Sequence, residues 1–328
     1  MKNKFIATIG GGYWGKNLIR NLDELKSLVG FYDTSKIVRE EISKKYPSIK
    51  AYNTIEELFN DPNVSGVFIA TPAITHGNLA VQALNAGKHV FIEKPMCLDV
   101  EEAKNLIKLS KELDLKLMVG HLLLYHPAFI ALSNIINDNK LGKLRYIYST
   151  RLSLGKFRKE ENALWSFAPH DISMILSLVK EGPIKVEAFG GNYLEDSVAD
   201  TTVTLIKFPS NIRAHIFVSW LHPYKDQRLV VIGEKAMAVF QDTAISSEKL
   251  MLYKHKASWN GDLPVIEKAE GEPIKYDINA EPLKAECEAF INLIKFNKPV
   301  PSSGEEGLSV LKVLKEADKN MKERDNND

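Results

Sequence analysis

The sequence predicts two folds in succession: an α/β domain built on a doubly wound parallel sheet over residues 1–120, then an α+β domain with a large open antiparallel sheet over residues 121–328. Three observations point there. Before Gly120, short apolar runs alternate with helical patterns; after it, strand-like runs follow one another with no long helix between most of them. At 328 residues and 45% apolar content, the chain is too long for one ordinary core and rich enough to bury two.

In the first domain FIATI precedes WGKNLIRNLDEL, SLVGFY precedes SKIVREEISKKY, and VSGVFIA precedes HGNLAVQALNAG. HVFIE then precedes VEEAKNLIKLSKELD, and LKLMVG closes the series. Strands separated by helices imply right-handed crossovers and a sheet covered on both faces. In the second domain a helix is expected at PAFIALSNIIND, a strand within LGKLRYIYSTRLSL and a short helix after Pro169. The segments KVEAFGGNYL, DTTVTLIKF, IRAHIFVSW, RLVVIGEKAMAVFQD and KLMLYKH alternate and are bounded by turns, which argues antiparallel pairing in one sheet. Residues 259–279 carry Gly, Pro and charge without periodicity and read as an irregular surface excursion; helices return at PLKAECEAFINLIK and GEEGLSVLKVLKEADKNMK.

Forty-three Lys and Arg against 42 Asp and Glu, with the signs interspersed, argue against a nucleic-acid groove or a membrane-surface patch. No apolar run approaches a membrane span, and the N-terminal run is too short for a secretory segment. The two cysteines, Cys97 and Cys287, are far apart and outside any CxxC spacing, so neither a disulfide framework nor a thiolate metal site is expected, and a reducing cytoplasm is the expected setting. His121 and His126 lack the spacing of a metal-binding pair, and no metal is expected.

Gly10-Gly11-Gly12-Tyr13-Trp14-Gly15 follows a strand pattern and opens a helix. Gly10 permits the tight turn, Gly12 lets backbone approach a pyrophosphate, and Gly15 lets helix and strand pack closely; Tyr13 and Trp14 complete the loop. Asp33 ends the second strand 18 residues beyond Gly15, where a carboxylate accepts hydrogen bonds from an adenosine ribose. That favours NAD over NADP, whose 2′-phosphate an Asp repels, although Ser35 and Lys36 nearby would help a phosphate. Ala70-Thr71-Pro72 and Glu93-Lys94-Pro95 end later strands and should border the same crevice, with His76 either a further contact to the dinucleotide or simply the first residue of the helix after Pro72.

Hydride transfer from a carbinol needs a base for the hydroxyl proton and a donor to steady the developing alkoxide. Lys94, held by the following proline, suits the donor role. In Trp165-Ser166-Phe167-Ala168-Pro169-His170-Asp171, a proline in a first helical turn would place His170 at a helix N-terminus, whose dipole keeps the imidazole neutral and able to accept a proton. Asp171 would complement the same dipole.

Together the glycine loop, ATPAITHGNLAVQALNAGKHVFIEKPM and WSFAPHD resemble the Gfo/Idh/MocA family of nicotinamide-dependent sugar oxidoreductases over nearly the whole chain. The resemblance implies a Rossmann domain, a second domain whose open sheet mediates homodimer or homotetramer assembly, and a substrate between them. It further implies that Lys94 and His170 are catalytic, and that Gly10, Gly12, Gly15, Asp33, Thr71, Pro72 and Glu93 hold the dinucleotide. Within the family, GYWGKN, GHLLLYHPA, RLSLGKF and NALWSFAPHDIS are similar to sugar-nucleotide 3-dehydrogenases, which oxidise C3 of a UDP-N-acetylhexosamine or its uronic acid. Those enzymes would place His121, Tyr125, Arg151 and Asn162 near the substrate. Ser166 stands where the family motif usually has Asp. A serine cannot stabilise a protonated His170 or Lys94 as a carboxylate would, which leaves open a non-catalytic dinucleotide sensor; a dehydrogenase of free sugars or cyclic polyols also stays open, because the same two-residue chemistry serves any secondary alcohol and nothing in the sequence identifies a uridine pocket.

Overall fold

A short parallel strand buried along its whole length needs cover on both faces, and β1 (Ile6–Ile9) is such a strand. The computed structural model describes residues 5–155 and 157–325. In the first unit β2 (Leu28–Tyr32), β3 (Lys50–Ala51), β4 (Gly66–Ile69), β5 (His89–Glu93) and β6 (Leu117–Gly120) join β1 in a parallel sheet of order β3-β2-β1-β4-β5-β6. The crossovers are α1 (Tyr13–Glu24), α2 (Lys36–Lys45), α3 (Ile55–Asn60), α4 (His76–Asn85) and α5 (Val100–Glu112). Helix α1 buries Gly15, Leu18, Ile19 and Leu22, the three- and four-residue spacing of an amphipathic helix. Helix α5 starts where the Asp99 carboxylate accepts the N–H groups of Glu101 and Glu102 at 2.8 and 3.0 Å. The winding reverses between β1 and β4, so the crevice for a ligand opens beyond the carboxyl ends of those two strands.

The second unit opens with α6 (Pro127–Asn137), β7 (Leu144–Leu152) and α7 (Ala163–Val179). Strands β8 (Lys185–Gly191), β9 (Thr201–Lys207), β10 (Arg213–Ser219), β11 (Asp226–Gly233), β12 (Met237–Gln241) and β13 (Leu250–Tyr253) follow. The hairpin β14 (Lys256–Asn260) and β15 (Leu263–Glu267) comes next, then β16 (Gly271–Pro273). Eight strands form one sheet of order β16-β13-β12-β11-β7-β10-β9-β8, with α7 packed on β7, β9 and β10 and α6 on β12 and β13.

Three local expectations change. The sheet is mostly antiparallel, but β7 and β10 run parallel, because the chain ascends β10 on one side of β7 and returns along β11 on the other. The stretch expected to be irregular, residues 259–279, holds the end of β14, the turn at Gly261 (φ +62°) into β15, and β16. Strands β14 and β15 are exposed at every residue, so they carry no alternation of burial to read. Helix α7 does not start after Pro169. It starts at Asn162, whose side chain accepts the Trp165 N–H at 3.1 Å, and Pro169 lies inside it. His170 is therefore in a helix interior, beyond the reach of the N-terminal dipole.

The chain closes with α8 (Pro282–Phe296) and α9 (Gly304–Asp325). Instead of a single boundary at residue 120, contacts divide the chain so that Glu281–Leu311 belongs with the first unit, which otherwise runs through Leu122. The reason is aromatic: Phe68 and Phe91 stack at 4.3 Å on the parallel sheet, and Phe290 of α8 meets their edges at 5.1 and 5.9 Å. Apolar surface of that size must be covered, and α8 covers it. Phe290→Ala is expected to lower the unfolding free energy by about 3–5 kcal/mol in urea titrations; a loss under about 1 kcal/mol would show that the cluster contributes little.

Candidate functional site

The glycine loop is shaped by close backbone approach. Gly10 has φ +99°, and a Cβ there would strike the Ala70 carbonyl; one on Gly15 would strike the Gly10 carbonyl. A Cβ on Gly12, in contrast, would meet nothing within 4 Å. Gly12 caps α1 without a side-chain hydrogen bond, so the first amides of that helix are offered at an open surface. This is a cradle that fits a pyrophosphate.

Asp33 is fixed by main chain on both oxygens: Oδ2 accepts the Gly11 N–H at 2.7 Å and Oδ1 the Ser35 N–H at 2.8 Å. Each oxygen keeps a further lone pair for a ribose hydroxyl. Ser35 caps α2 by accepting the Val38 N–H, and Lys36 reaches Glu40 at 3.7 Å, so both have local partners. Arg39, which the sequence reading did not single out, donates to the carbonyls of Asp33 and Thr34 at 2.6 and 3.2 Å.

His76 does not face outward as a ligand-binding residue at a helix start would. It is 1% exposed, with Nδ1 2.8 Å from the Pro95 carbonyl and Nε2 2.8 Å from the Thr71 carbonyl. The ring braces the loop after β4 against the loop after β5. Burial above all, and the charge of Lys94, hold it below the ordinary histidine range, while the two carbonyls pull the other way. The Thr71 hydroxyl pairs with that of Thr75 at 2.7 Å.

Glu93 ends β5 and is buried. Trp14 donates its indole N–H to Oε1, tying the glycine loop to β5. Burial pushes the Glu93 carboxyl up to about 7, against the opposing pull of the Trp14 hydrogen bond, the Lys94 charge and amide, and His121. Lys94 follows, half-buried, and its peptide bond to Pro95 is cis. His121, at the end of β6, is 2% exposed, and its Nδ1 lies 2.5 Å from Oε2 of Glu306 on α9. Gly10, Gly12, Trp14, Asp33, Thr71, Glu93, Lys94 and His121 thus all sit at the carboxyl ends of the parallel strands or in the loops that follow them.

In the second unit Asn162, Ser166 and His170 recur every fourth residue along one face of α7. Asn162 caps the helix and donates to Asp318 at 3.2 Å. Asp171, fully buried, does not serve the helix dipole. Its carboxylate accepts from Arg151 Nε at 2.7 Å and Nη2 at 3.3 Å, and from the Ser149 hydroxyl at 2.5 Å. Tyr125 is buried in a 3-10 turn over Leu122–Tyr125. Among the described residues, no group of three or more His, Cys, Asp or Glu is placed to hold a metal ion, and no helix is long and apolar enough to cross a membrane.

Residues 4–121 match the family profile described as "Oxidoreductase family, NAD-binding Rossmann fold", and residues 129–239 match the "GFO/IDH/MocA C-terminal domain". The chain belongs to the Gfo/Idh/MocA oxidoreductase family. Members of this kind are NAD(P)-dependent dehydrogenases acting on CH–OH groups, and so is this one. It is similar to the UDP-N-acetylglucosamine 3-dehydrogenase of Acidithiobacillus ferrooxidans, at 28% identity over 311 residues, 93% of each chain. A solved structure of that enzyme superposes with a TM-score of 0.86 at 25% identity, covering 98% of this chain and 99% of the other. The myo-inositol 2-dehydrogenase of Thermotoga maritima is 26% identical over 332 residues, 97% of this chain and 96% of that one.

Two acids of this Gfo/Idh/MocA chain escaped the sequence reading. Glu306 lies in a polar helix start, GEEG, that gives no hint of its partner, His121, just after β6. Glu286 gave a usable signal: it interrupts the apolar stripe Leu283, Cys287, Phe290 and Ile291 of α8.

The Glu93 value of about 7 lies above the ordinary 4.5, so the protonated acid favours the folded state. That stabilisation is complete below pH 4.5 and is lost as pH rises through 7. Glu93→Gln should therefore flatten the decline of unfolding free energy across this window; an unchanged decline would show that Glu93 does not cause it. Asp33→Ala should weaken dinucleotide binding in a fluorescence titration, and an unchanged affinity would count against a ribose contact at Asp33.

Proposed function

We propose that this dehydrogenase uses NAD to oxidise a secondary hydroxyl of a sugar nucleotide, at C3 of a UDP-N-acetylhexosamine or its uronic acid. The whole-chain likeness to the UDP-N-acetylglucosamine 3-dehydrogenase carries the substrate assignment. For the cofactor, a carboxylate held by two backbone amides supports NAD over NADP, since Asp33 attracts ribose hydroxyls and repels a 2′-phosphate. Bound nicotinamide supplies the hydride acceptor. Lys94 holds the substrate oxygen as negative charge develops on it, and His170 takes the hydroxyl proton. Ser166, one turn before His170 on α7, and Tyr125 line the substrate side. Arg151 and Asn162 are committed to Asp171 and to the α7 cap, so they serve by positioning the helix that carries His170. His121, with its ring held by Glu306, supports the sheet end next to Glu93.

Likeness to a myo-inositol 2-dehydrogenase over nearly the same span favours cyclic polyols as a second reading. A substrate panel separates the two: reduction of NAD⁺ by UDP-N-acetylglucosamine and not by inositol or glucose is the expected outcome, and the reverse pattern would replace the first reading by the second. Lys94→Ala and His170→Ala should each lower turnover by about a hundredfold or more while dinucleotide affinity holds. Wild-type rates in both would remove them from the chemistry. Ser166→Asp, which restores the acid usual at that position, should raise turnover if the serine limits it, and no gain would show that it does not.

A further inference from the structure

Glu286 is the least explained group in the first unit. It is 1% exposed, and neither carboxyl oxygen has a hydrogen-bond partner among the described residues. Its place follows from the run of α8. Ile294 and Phe290 face Gly66, at the start of β4, and Phe290 meets Phe68 and Phe91 midway along β4 and β5. Residues four apart in a helix advance about 6 Å, close to the advance of two residues in a strand. One turn before Phe290 therefore brings Glu286 level with the end of β5, where Glu93 sits, and the two carboxyls repel one another's ionisation.

Other groups reach this pair from each surrounding element. Trp14 of α1 donates to Glu93; Lys94 follows it on its own strand; His121 stands at the end of β6 with Glu306 of α9 behind it. On α8 the Cys287 thiol lies beside Glu286, with Glu288 and Glu281 acting on it, and Glu281 is held by Arg20 and Asn21. Burial keeps Glu286 well above the ordinary carboxyl range, reinforced by Glu93, whereas Glu93 itself titrates near neutrality.

We propose that this acid pair links protons to the redox state of the bound nicotinamide: Glu93 gives up its proton in the NAD⁺ complex and keeps it in the NADH complex, while Glu286 stays neutral in both. The proposal rests on the reading that the dinucleotide binds at these strand ends with its nicotinamide side towards Glu93. A cation beside Glu93 favours the carboxylate, and its loss on reduction favours the acid. When the alcohol yields its hydride to NAD⁺ and its hydroxyl proton to His170, Glu93 takes up one proton from solvent as the nicotinamide loses its charge; the proton that His170 later releases to solvent matches it, so charge and atoms balance with no net proton lost. Glu286 positions this equilibrium by contributing bulk and burial without a second negative charge.

The test is calorimetric titration of the full chain with NAD⁺ and with NADH at pH 7, in buffers of different ionisation enthalpy, to count protons. NAD⁺ should release a fraction of a proton and so bind more tightly as pH rises through neutrality; NADH should release less. Glu93→Gln should abolish the difference between the two. Glu286→Gln should keep the difference but remove a protonated-carboxyl band that infrared spectroscopy detects in both complexes. Equal proton counts for NAD⁺ and NADH in the wild type, with both bound, overturn the proposal alone. Failure to bind either nucleotide overturns the site reading, and this proposal with it.

Discussion

A carboxyl withdrawn from water at the end of a buried strand must be answered by its neighbours, and much of the nucleotide-binding unit follows from that requirement at Glu93. The glycine loop answers with the Trp14 indole, and the next residue on the chain brings an ammonium. Gly120, level with Glu93 on β6, has no room for a side chain, since a Cβ there would lie 2.9 Å from Glu93 Oε2. The same carboxyl therefore limits what β6 can carry and ties the first loop of the fold to the fifth strand. Below it, His76 locks the two following loops together through their carbonyls. The crevice floor is thus preorganised by groups that are themselves mostly buried, the arrangement expected of a site that must hold a reacting atom in place.

In the second unit a different buried charge sets the geometry. Asp171 and Arg151 are both nearly inaccessible and doubly hydrogen-bonded, with Ser149 completing the acid's partners. Such a pair adds little net stability over a well-packed apolar substitute, but removing one member leaves an unanswered charge in the core. Its value here is orientation. It joins α7 to β7 one residue after His170, so the imidazole's direction follows from a rigid junction between helix and sheet.

The order and nature of the first unit's long elements were legible because parallel strands buried on both faces leave unbroken apolar runs, as in FIATI and HVFIE. The short β3 and α3 left no such trace. Gly10 and Gly15 were legible because each meets a backbone demand tied to its position in the loop, whereas Asp33 was marked only by its place at the end of β2, and the two amides it accepts are visible only in the fold. His76 does start a helix, as its position after Pro72 indicated, but only tertiary structure reveals the two carbonyls that its ring meets. The proline of WSFAPHD misled the placement of α7, since a proline fits a first helical turn well and the true start, Asn162, lies in a segment without strong periodicity. Glu286 and Glu306 depend on α8 and the first turns of α9 belonging with the first unit. No local pattern announces that placement, which for α8 follows from the uncovered aromatic face of Phe68 and Phe91.

The most direct measurement is a crystal structure of the chain with NAD⁺ and UDP-N-acetylglucosamine bound together. The expected result is a pyrophosphate over Gly12, the ribose on Asp33, and the C3 hydroxyl of the sugar within hydrogen-bond reach of both the Lys94 ammonium and the His170 imidazole. A complex in which those two side chains address different parts of the ligand, or turn away from the nicotinamide, would contradict the assignment.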